Sequence, residues 1–241
     1  MAMDKQFILT ALLNGKIQVQ GQFLAGSNYT FLADIAYEQV KFKSVYKPVR
    51  GEQPLWDFSN GTLAKREVAA YVVSEVLGWD LVPPTVYRLK GPMGVGSLQE
   101  FIEHEPDHHY FNFDDATRQR LRPVALFDLV ANNADRKGGH ILLDSNDNLL
   151  LIDHGICFHI EDKLRTVVWD FAGEEIPAGL LSDLCRLVNN IESGSPLAQE
   201  LCNLLSEEEI AAVLNRTRHL AAGGRFPYPQ NTRRSYPWPP V

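Results

Sequence analysis

Three side chains suited to metal-dependent phosphoryl transfer lie close together in the middle of the chain. Asp135 is in a polar, glycine-containing loop, and His140 follows it at the start of an apolar run. A turn-rich break at residues 144–148 precedes a second apolar run, which ends at Asp153. Two short strands joined by a turn bring their outer ends together, so we expect the three side chains at one end of a hairpin. Phosphoryl transfer requires this arrangement, with one carboxylate at the attacking hydroxyl and two ligands for Mg²⁺.

Length and composition limit the possible architectures and partners. The 241 residues can form one large domain or two small lobes. A net charge of −7 argues against nucleic acid and anionic membranes as partners, because both favour clustered basic residues. No segment approaches the roughly 20 apolar residues of a spanning helix, so we expect no integral membrane association. The apolar run at residues 7–13 is too short for most secretory signals, and the three cysteines form no C-x-x-C pair. We therefore expect a cytoplasmic protein with reduced thiols.

The elements that position these residues fall into two groups. Alternating apolar residues predict strands, whereas apolar stripes at helical spacing predict helices. Thr62 is a plausible N-cap for the first long helix, and Gly78 is its predicted end. The last helix opens with a capping box at Ser206. The predicted strands are 17–23, 30–35, 41–48, 86–89 and 97–102, and the predicted helices are 4–13, 63–77, 121–131, 179–192, 196–204 and 206–222.

This order predicts an α+β protein with two lobes and a cleft between them. Residues 1–98 form a lobe with a small sheet and one helix, and residues 99–224 form a helical lobe that carries the candidate chemistry. Residues 225–241 form a segment rich in proline and aromatic residues. This segment either packs along the body or is a free polyproline-type ligand for another protein, and we favour packing.

Four short motifs give the chain a family resemblance. They are Tyr46-Lys47-Pro48, Arg66-Glu67-Val68-Ala69-Ala70, Asn133-Ala134-Asp135-Arg136-Lys137 and Ile152-Asp153-His154-Gly155. Their types and order resemble phosphatidylinositol 3- and 4-kinases, and in particular a family of small bacterial proteins related to them, over roughly residues 17–238. The resemblance implies a protein-kinase-like fold that binds ATP with Mg²⁺ or Mn²⁺. It also implies transfer of the γ-phosphate to a hydroxyl of a protein or a small molecule.

The resemblance assigns roles to individual residues. Asp135 becomes the catalytic base. Lys137 resembles the lysine that neutralises the transferred phosphate in Ser/Thr protein kinases, although a solvated lysine is an equal alternative. Lys47 becomes the contact to the ATP α- and β-phosphates, and it pairs with a helix glutamate. Glu67 is the expected partner, and Glu75 is the alternative.

The remaining nucleotide contacts are expected on both sides of the cleft. Residues 21–28 occupy the place of a phosphate-covering loop, where Ser27 and Asn28 could contact phosphate, although an ordinary hairpin turn is nearly as plausible. Residues 97–102 occupy the place of the strand that joins the lobes, and this strand includes Gln99. Its backbone is expected to meet the adenine edge, with Leu98, Phe101 and Ile152 as apolar walls.

The metal is expected between Asp153 and His140. At position 140 the chain departs from the asparagine usual in protein and lipid kinases, and an imidazole suits Mn²⁺ better than Mg²⁺. Only the neutral imidazole binds a metal, so metal-dependent activity should fall as the pH drops through about 6.5, the ordinary histidine range. The alternative is that His140 only forms hydrogen bonds within its loop.

Two other clusters and two other functions remain open. His104, His108 and His109 with Asp107 suggest a metal site, but their polar surroundings favour a solvated loop. Residues 163 and 165 are basic, and they either contact an anionic substrate or pair with acidic neighbours. The alternative functions are an ATP-binding pseudokinase and an interaction module that recruits a partner through residues 225–241.

Overall fold

The first lobe is built on a five-stranded antiparallel sheet. The computed structural model describes residues 3–24, 28–230 and 234–241. The strand order is β1-β2-β3-β5-β4. The strands are β1 (Lys16–Gln22), β2 (Phe31–Tyr37), β3 (Val40–Pro48), β4 (Thr85–Arg88) and β5 (Gly96–Glu100).

The two faces of this sheet have different neighbours. Side chains alternate between faces along a strand, so Tyr46 and Lys47 of β3 point in opposite directions. Tyr46 pairs with Leu98 of β5, and both side chains are fully buried in a cluster with helix α1 (Lys5–Asn14). The expectation that Leu98 forms an adenine wall is therefore wrong, because the strand register turns it away from the cleft. Lys47 lies on the opposite face, toward helix α2 (Leu63–Leu77).

Helix α2 has the predicted span, but a different residue caps its N-terminus. The Thr62 side chain accepts no backbone N–H from the first turn of the helix, and within that turn it contacts the Arg66 side chain at 3.4 Å. The Thr62 hydroxyl donates instead to the Ser59 carbonyl, 2.7 Å away. Glu52, from the loop after β3, accepts the Ala64 N–H at 2.9 Å. Thr62 therefore occupies the predicted N-cap position, but its side chain makes no capping bond, because a carboxylate from another segment satisfies this N–H. Gly78 ends the helix in a left-handed conformation, as predicted.

The second lobe is helical apart from a short hairpin. Strands β6 (Ile141–Leu143) and β7 (Leu149–Leu151) form this hairpin, which confirms the predicted pair of strands. The capping box at Ser206 is also confirmed, since the Ser206 and Glu209 side chains each accept the other's backbone N–H. The helices are α3 (Asp115–Gln119), α4 (Arg122–Ala131), α5 (Ala178–Glu192), α6 (Pro196–Leu204) and α7 (Glu207–Gly223).

The structure has the predicted α+β architecture. The boundary predicted between residues 98 and 99 lies inside β5, and the division into three segments stays a prediction. Phe226, just after α7, is buried in the main core, so the start of the proline-rich segment packs on the body. None of the helices in the described residues is long and apolar enough to cross a membrane.

Candidate active site

A cleft of about 420 Å³ brings the predicted site residues together. Its walls come from the sheet and the segment after β5, from helix α2, and from the open end of the hairpin. Ser27, predicted as a phosphate contact, lies outside the residues that the structure describes. Apart from Leu98, the other predicted site residues line the cleft: Asn28, Lys47, Glu67, Gln99, Phe101, Asp135, Lys137, His140, Ile152 and Asp153.

The Lys47 ammonium joins the two lobes. It donates to Glu67 on α2, and it also donates to Asp153 Oδ1 at 2.9 Å. Burial lowers the pKa of Lys47, but the carboxylates of Asp153 and Glu67 outweigh burial and raise it above its ordinary value. The alternative partner, Glu75, pairs with Lys5 at 2.9 Å instead. In the structure Glu67 is therefore the partner of Lys47, a choice that spacing in the sequence could not make between Glu67 and Glu75.

Asp153 is held in an unusual backbone conformation at the end of the hairpin. Its φ is +62°, in the left-handed region that aspartate tolerates better than most residues. The side chain is 52% exposed, toward the cleft. The Lys47 ammonium holds the pKa of Asp153 well below its usual range, so the carboxylate is ionised at neutral pH. A strained backbone that presents an ionised carboxylate to a cavity is typical of functional sites.

His140 is a neutral imidazole beside this carboxylate. Its Nε2 lies 3.5 Å from Asp153 Oδ2, and its Nδ1 accepts the Lys137 backbone N–H at 3.4 Å. Burial lowers the pKa of His140 to about 4. The expectation that metal-dependent activity falls near pH 6.5 is therefore revised. The fall is expected at a lower pH, because the buried ring stays neutral through the ordinary histidine range.

The donor set fits a divalent ion that is shared with a phosphorylated ligand. Asp153 supplies an ionised oxygen, and His140 supplies a neutral nitrogen beside it. Within the described ranges, no cluster of three or more histidine, cysteine or acidic side chains is arranged to hold a metal alone. Mg²⁺ is commonly bound through one or two carboxylates together with substrate phosphates and water, so two protein ligands are sufficient. Because Nδ1 of His140 accepts a hydrogen bond, Nε2 carries the proton of the neutral ring. To bind a metal through Nε2, the ring would have to carry its proton on Nδ1 instead.

Asp135 also lines the cleft, and hydrogen bonds with its neighbours hold its loop in place. The Asn133 side chain accepts the Asp135 backbone N–H at 2.9 Å. Lys137 Nζ lies 3.6 Å from Asp135 Oδ2. Burial raises the pKa of Asp135, and the Lys137 charge opposes this rise. The carboxylate is 31% exposed, so it remains accessible from the cleft.

Some of the side chains predicted to contact the nucleotide already have hydrogen-bond partners within the protein. Asn28 Oδ1 accepts the Gln53 backbone N–H at 2.7 Å, so it also ties two loops together. The Gln99 amide donates to Thr85 and is therefore occupied within the sheet. Phe101 and Ile152 both line the cleft, and both are partly exposed. These two side chains remain candidates for apolar walls.

Sequence comparison identifies the family of this chain. The family model for phosphatidylinositol 3- and 4-kinases matches residues 37–212, which contain the cleft residues from Lys47 to Asp153. The chain belongs to this family. Protein Rv2133c of Mycobacterium tuberculosis is 38% identical, and the match covers 95% of this chain and 93% of that protein. Phosphatidylinositol 4-kinase gamma 4 of Oryza sativa subsp. japonica is 35% identical, but the match covers 45% of this chain and only 22% of that protein.

Comparison with solved structures supports the fold assignment. The Golgi casein kinase with Mn/ADP bound superimposes with a TM-score of 0.58 at 14% sequence identity. The superposition covers 90% of this chain and 74% of that one. At this identity the likeness concerns the fold alone. This phosphatidylinositol 3- and 4-kinase family member therefore has a protein-kinase-like fold.

The sequence analysis missed a buried ion pair beneath the site of this family member. The side chains of Asp128 and Arg136 are both fully buried, with 3.0 Å between the closest atoms. Arg136 also donates to the Ile152 carbonyl at 2.9 Å and lies 2.8 Å from His154 Nε2. One guanidinium thus links α4, the Asp135 loop and the segment around Asp153. The available signal was a charged residue within the apolar α4 sequence, Asp128, eight positions before Arg136.

Most members of the remaining predicted clusters make structural contacts in this family member, whereas His104 lines the cleft. His109 accepts the Phe111 backbone N–H at 3.3 Å, and the His108 ring packs against Phe113. Lys163 pairs with Asp57 at 3.2 Å and with Glu161 at 3.3 Å. The pairing alternative for Lys163 therefore describes the structure.

Proposed function

We propose that this protein is an ATP-dependent phosphotransferase that moves the γ-phosphate to a hydroxyl acceptor. Membership of the phosphatidylinositol 3- and 4-kinase family supports a kinase-type reaction in general. The observation that carries the proposal is the Lys47 ammonium, which bridges Glu67 and Asp153 inside a cleft that also contains Asp135. A scaffold without nucleotide chemistry gains nothing from an ion triad that spans two lobes.

The nucleotide is proposed to lie along the first lobe. Lys47 would contact the phosphates, and Glu67 would hold its ammonium in place. The Ile102 backbone N–H, in the segment after β5, has no hydrogen-bond partner among the described residues and lies in the cleft lining. It is available to the edge of an adenine, which would lie between Phe101 and Ile152. Asn28 would lie on the phosphate side.

The metal is proposed at Asp153 and His140. A related fold, the Golgi casein kinase, has been solved with Mn/ADP bound, which supports a divalent ion together with a nucleotide. The ion would neutralise charge on the phosphates. Asp153 would keep its oxygen ionised for this purpose, because Lys47 lowers its pKa. His140 would contribute a soft nitrogen that favours Mn²⁺.

Asp135 is proposed to act on the acceptor. A carboxylate in the cleft, opposite the phosphate-binding lysine, can orient the attacking hydroxyl and accept its proton. Lys137 would lie beside the transferred phosphate, since its ammonium is 3.6 Å from Asp135. The geometry does not depend on the rest of the acceptor, so a protein and a small molecule both remain candidates.

Nucleotide binding is tested by thermal unfolding with ATP, ADP or a non-hydrolysable analogue and Mg²⁺ or Mn²⁺. At a hundredfold excess over Kd, a ligand specific for the folded state adds roughly 3 kcal/mol to the free energy of unfolding. We expect a shift with nucleotide and metal together. The absence of any shift with every combination would refute the proposal.

Three substitutions separate a kinase from a pseudokinase. Asp135→Asn should preserve nucleotide binding and abolish ADP release, because Asp135 acts on the acceptor. Asp153→Asn should weaken metal-dependent binding, and asparagine tolerates the positive φ. Asp107→Asn is the matched control, since Asp107 is exposed outside the cleft. A parent that binds ATP but releases no ADP with varied acceptors would indicate a pseudokinase. Equal turnover by all three variants would refute the assigned roles.

A further inference from the structure

Residues 234–241, here called the C-terminal strap, lie against the loop that carries Asp135. The Pro240 carbonyl accepts the Gly138 backbone N–H at 2.8 Å. The Ser235 carbonyl accepts the Thr166 backbone N–H at 3.1 Å and the Trp169 indole N–H at 3.2 Å. The strap therefore contacts two segments that are far apart in sequence through backbone acceptors.

The two contacted segments form one unit at the floor of the cleft. Arg136, directly after Asp135, forms a parallel bridge with Thr166. The Arg136 N–H donates to the Arg165 carbonyl at 2.9 Å, and the Val167 N–H donates to the Arg136 carbonyl at 3.2 Å. The Thr166 hydroxyl donates to Asp128 at 2.9 Å. A contact that holds Thr166 in place therefore also holds the Arg136 backbone, which directly follows Asp135.

Gly138 is enclosed between the strap and an aromatic ring. A Cβ at this position would lie 2.9 Å from the Phe111 ring and 3.6 Å from the Pro240 carbonyl oxygen. The residue lies between Lys137 and His140, two of the proposed site residues. Glycine thus permits close packing on both sides, and the Pro240 carbonyl satisfies an N–H that would otherwise be unpaired at the start of a short turn.

Three large side chains of the strap are half exposed or more, whereas Pro237 is buried. The Trp238 side chain is 76% exposed, Tyr236 is 50% exposed and Val241 is 54% exposed. The strap is therefore held by its backbone acceptors together with the buried Pro237 and the edge contact between Tyr236 and the Trp169 ring.

We propose that the C-terminal strap is a positioning element, which holds the Asp135 loop in the geometry needed for attack by the acceptor. The proposal rests on the proposed phosphotransferase function. The strap contacts Gly138, Thr166 and Trp169, none of which is among the residues proposed to bind nucleotide. Its loss should therefore reduce kcat and leave nucleotide affinity unchanged.

Two truncated chains that differ by one residue provide the test. The chain ending at Pro240 lacks only Val241 and keeps an oxygen acceptor for Gly138, which is now part of the terminal carboxylate. The chain ending at Pro239 lacks that acceptor but keeps Ser235. Amide hydrogen exchange at Gly138, measured by NMR, should be no faster in the first chain than in the parent, because a carboxylate accepts at least as strongly as a peptide carbonyl. Exchange should be roughly two- to tenfold faster in the second, the range for one backbone hydrogen bond.

Turnover is measured in the same pair of chains and in a third chain ending at Arg234. The chain ending at Pro239 should lose about tenfold or more in kcat, because small displacements of a reacting group are costly, with the KM for ATP unchanged. The chain ending at Arg234 should lose more, and adding a peptide of residues 234–241 in trans should restore part of its turnover.

The outcomes are distinguishable from those of the proposed function. Equal Gly138 exchange in the chains ending at Pro239 and Pro240 would refute the strap proposal, whether or not the protein turns over ATP. A parallel loss of kcat, ATP affinity and thermal stability would also refute it, because that pattern indicates a merely structural role. A parent without turnover refutes the phosphotransferase function, while the exchange comparison still decides whether the strap holds the loop.

Discussion

Removing the guanidinium of Arg136 should be among the most destabilising changes in the chain. Arg136→Met leaves the Asp128 carboxylate fully buried, with only the neutral donors Asn133 and Thr166 at 3.2 and 2.9 Å. It also leaves the Ile152 carbonyl without the donor that now lies 2.9 Å away. Breaking a buried pair by removing one partner costs roughly 3–5 kcal/mol, because the remaining charge is uncompensated.

Urea unfolding followed by circular dichroism measures this loss. Total stability for a domain is about 5–15 kcal/mol, so the variant should remain folded at low temperature with a much lower midpoint. Arg218→Met is the matched control. Arg218 pairs with Glu192 at the surface, where both side chains are nearly half exposed, so its loss should cost less than about 1 kcal/mol.

A double variant and a pH series separate charge from packing. Asp128→Asn combined with Arg136→Met removes the uncompensated charge and should regain about 1–3 kcal/mol relative to Arg136→Met alone. Burial already raises the pKa of Asp128, and Arg136 opposes this rise. In Arg136→Met the pKa rises further above its unfolded value, so the loss of stability should shrink as the pH falls and the carboxyl protonates. A loss under 1 kcal/mol, or one that does not change with pH, would refute the electrostatic reasoning.

Three further predictions follow from single contacts. Lys137→Met removes the cation that lowers the pKa of Asp135, so the acid limb of the kcat–pH profile should move to higher pH; a limb that stays in place or moves down would remove Asp135 as the base. Glu52→Ala removes the acceptor at the start of α2 and should cost about 0.5–2 kcal/mol in urea unfolding, whereas Thr62→Ala should cost less than about 0.5, and equal losses would contradict the assigned cap. His140→Asn should narrow the preference for Mn²⁺ over Mg²⁺ in a metal titration, and an unchanged ratio would exclude His140 as a ligand.

Local patterns in the sequence were sufficient for the secondary structure and for most of the cleft. The alternation in β3 and the stripe of α2 depend on neighbours within a few residues, and both elements were predicted within one residue of their ends. The polar turn between β6 and β7 likewise predicted that His140 and Asp153 meet. Their closest atoms lie 3.5 Å apart.

The predictions failed where a contact depends on a segment that is distant in sequence. The cap of α2 comes from Glu52, twelve residues before its partner, so a rule based on adjacent residues selected Thr62 instead. Leu98 was assigned to the cleft because its strand passes there, but strand pairing with Tyr46 fixes which face it occupies. Sequence alone does not reveal register, since a shift of one residue reverses every side chain of a strand.

The ion pairs of the site were likewise predicted in part from local motifs and determined in part by the packing of distant segments. Motif order predicted that Lys47 meets a helix glutamate, yet the choice of Glu67 over Glu75 depends on the docking of α2 against the sheet. Burial then changes the chemistry, because it lowers the pKa of His140 to about 4 and so removes a proton that a solvated imidazole would bind near pH 6. Residue type therefore predicts which groups can perform phosphoryl transfer, whereas packing determines their charge states and thus which of them can hold a metal at neutral pH.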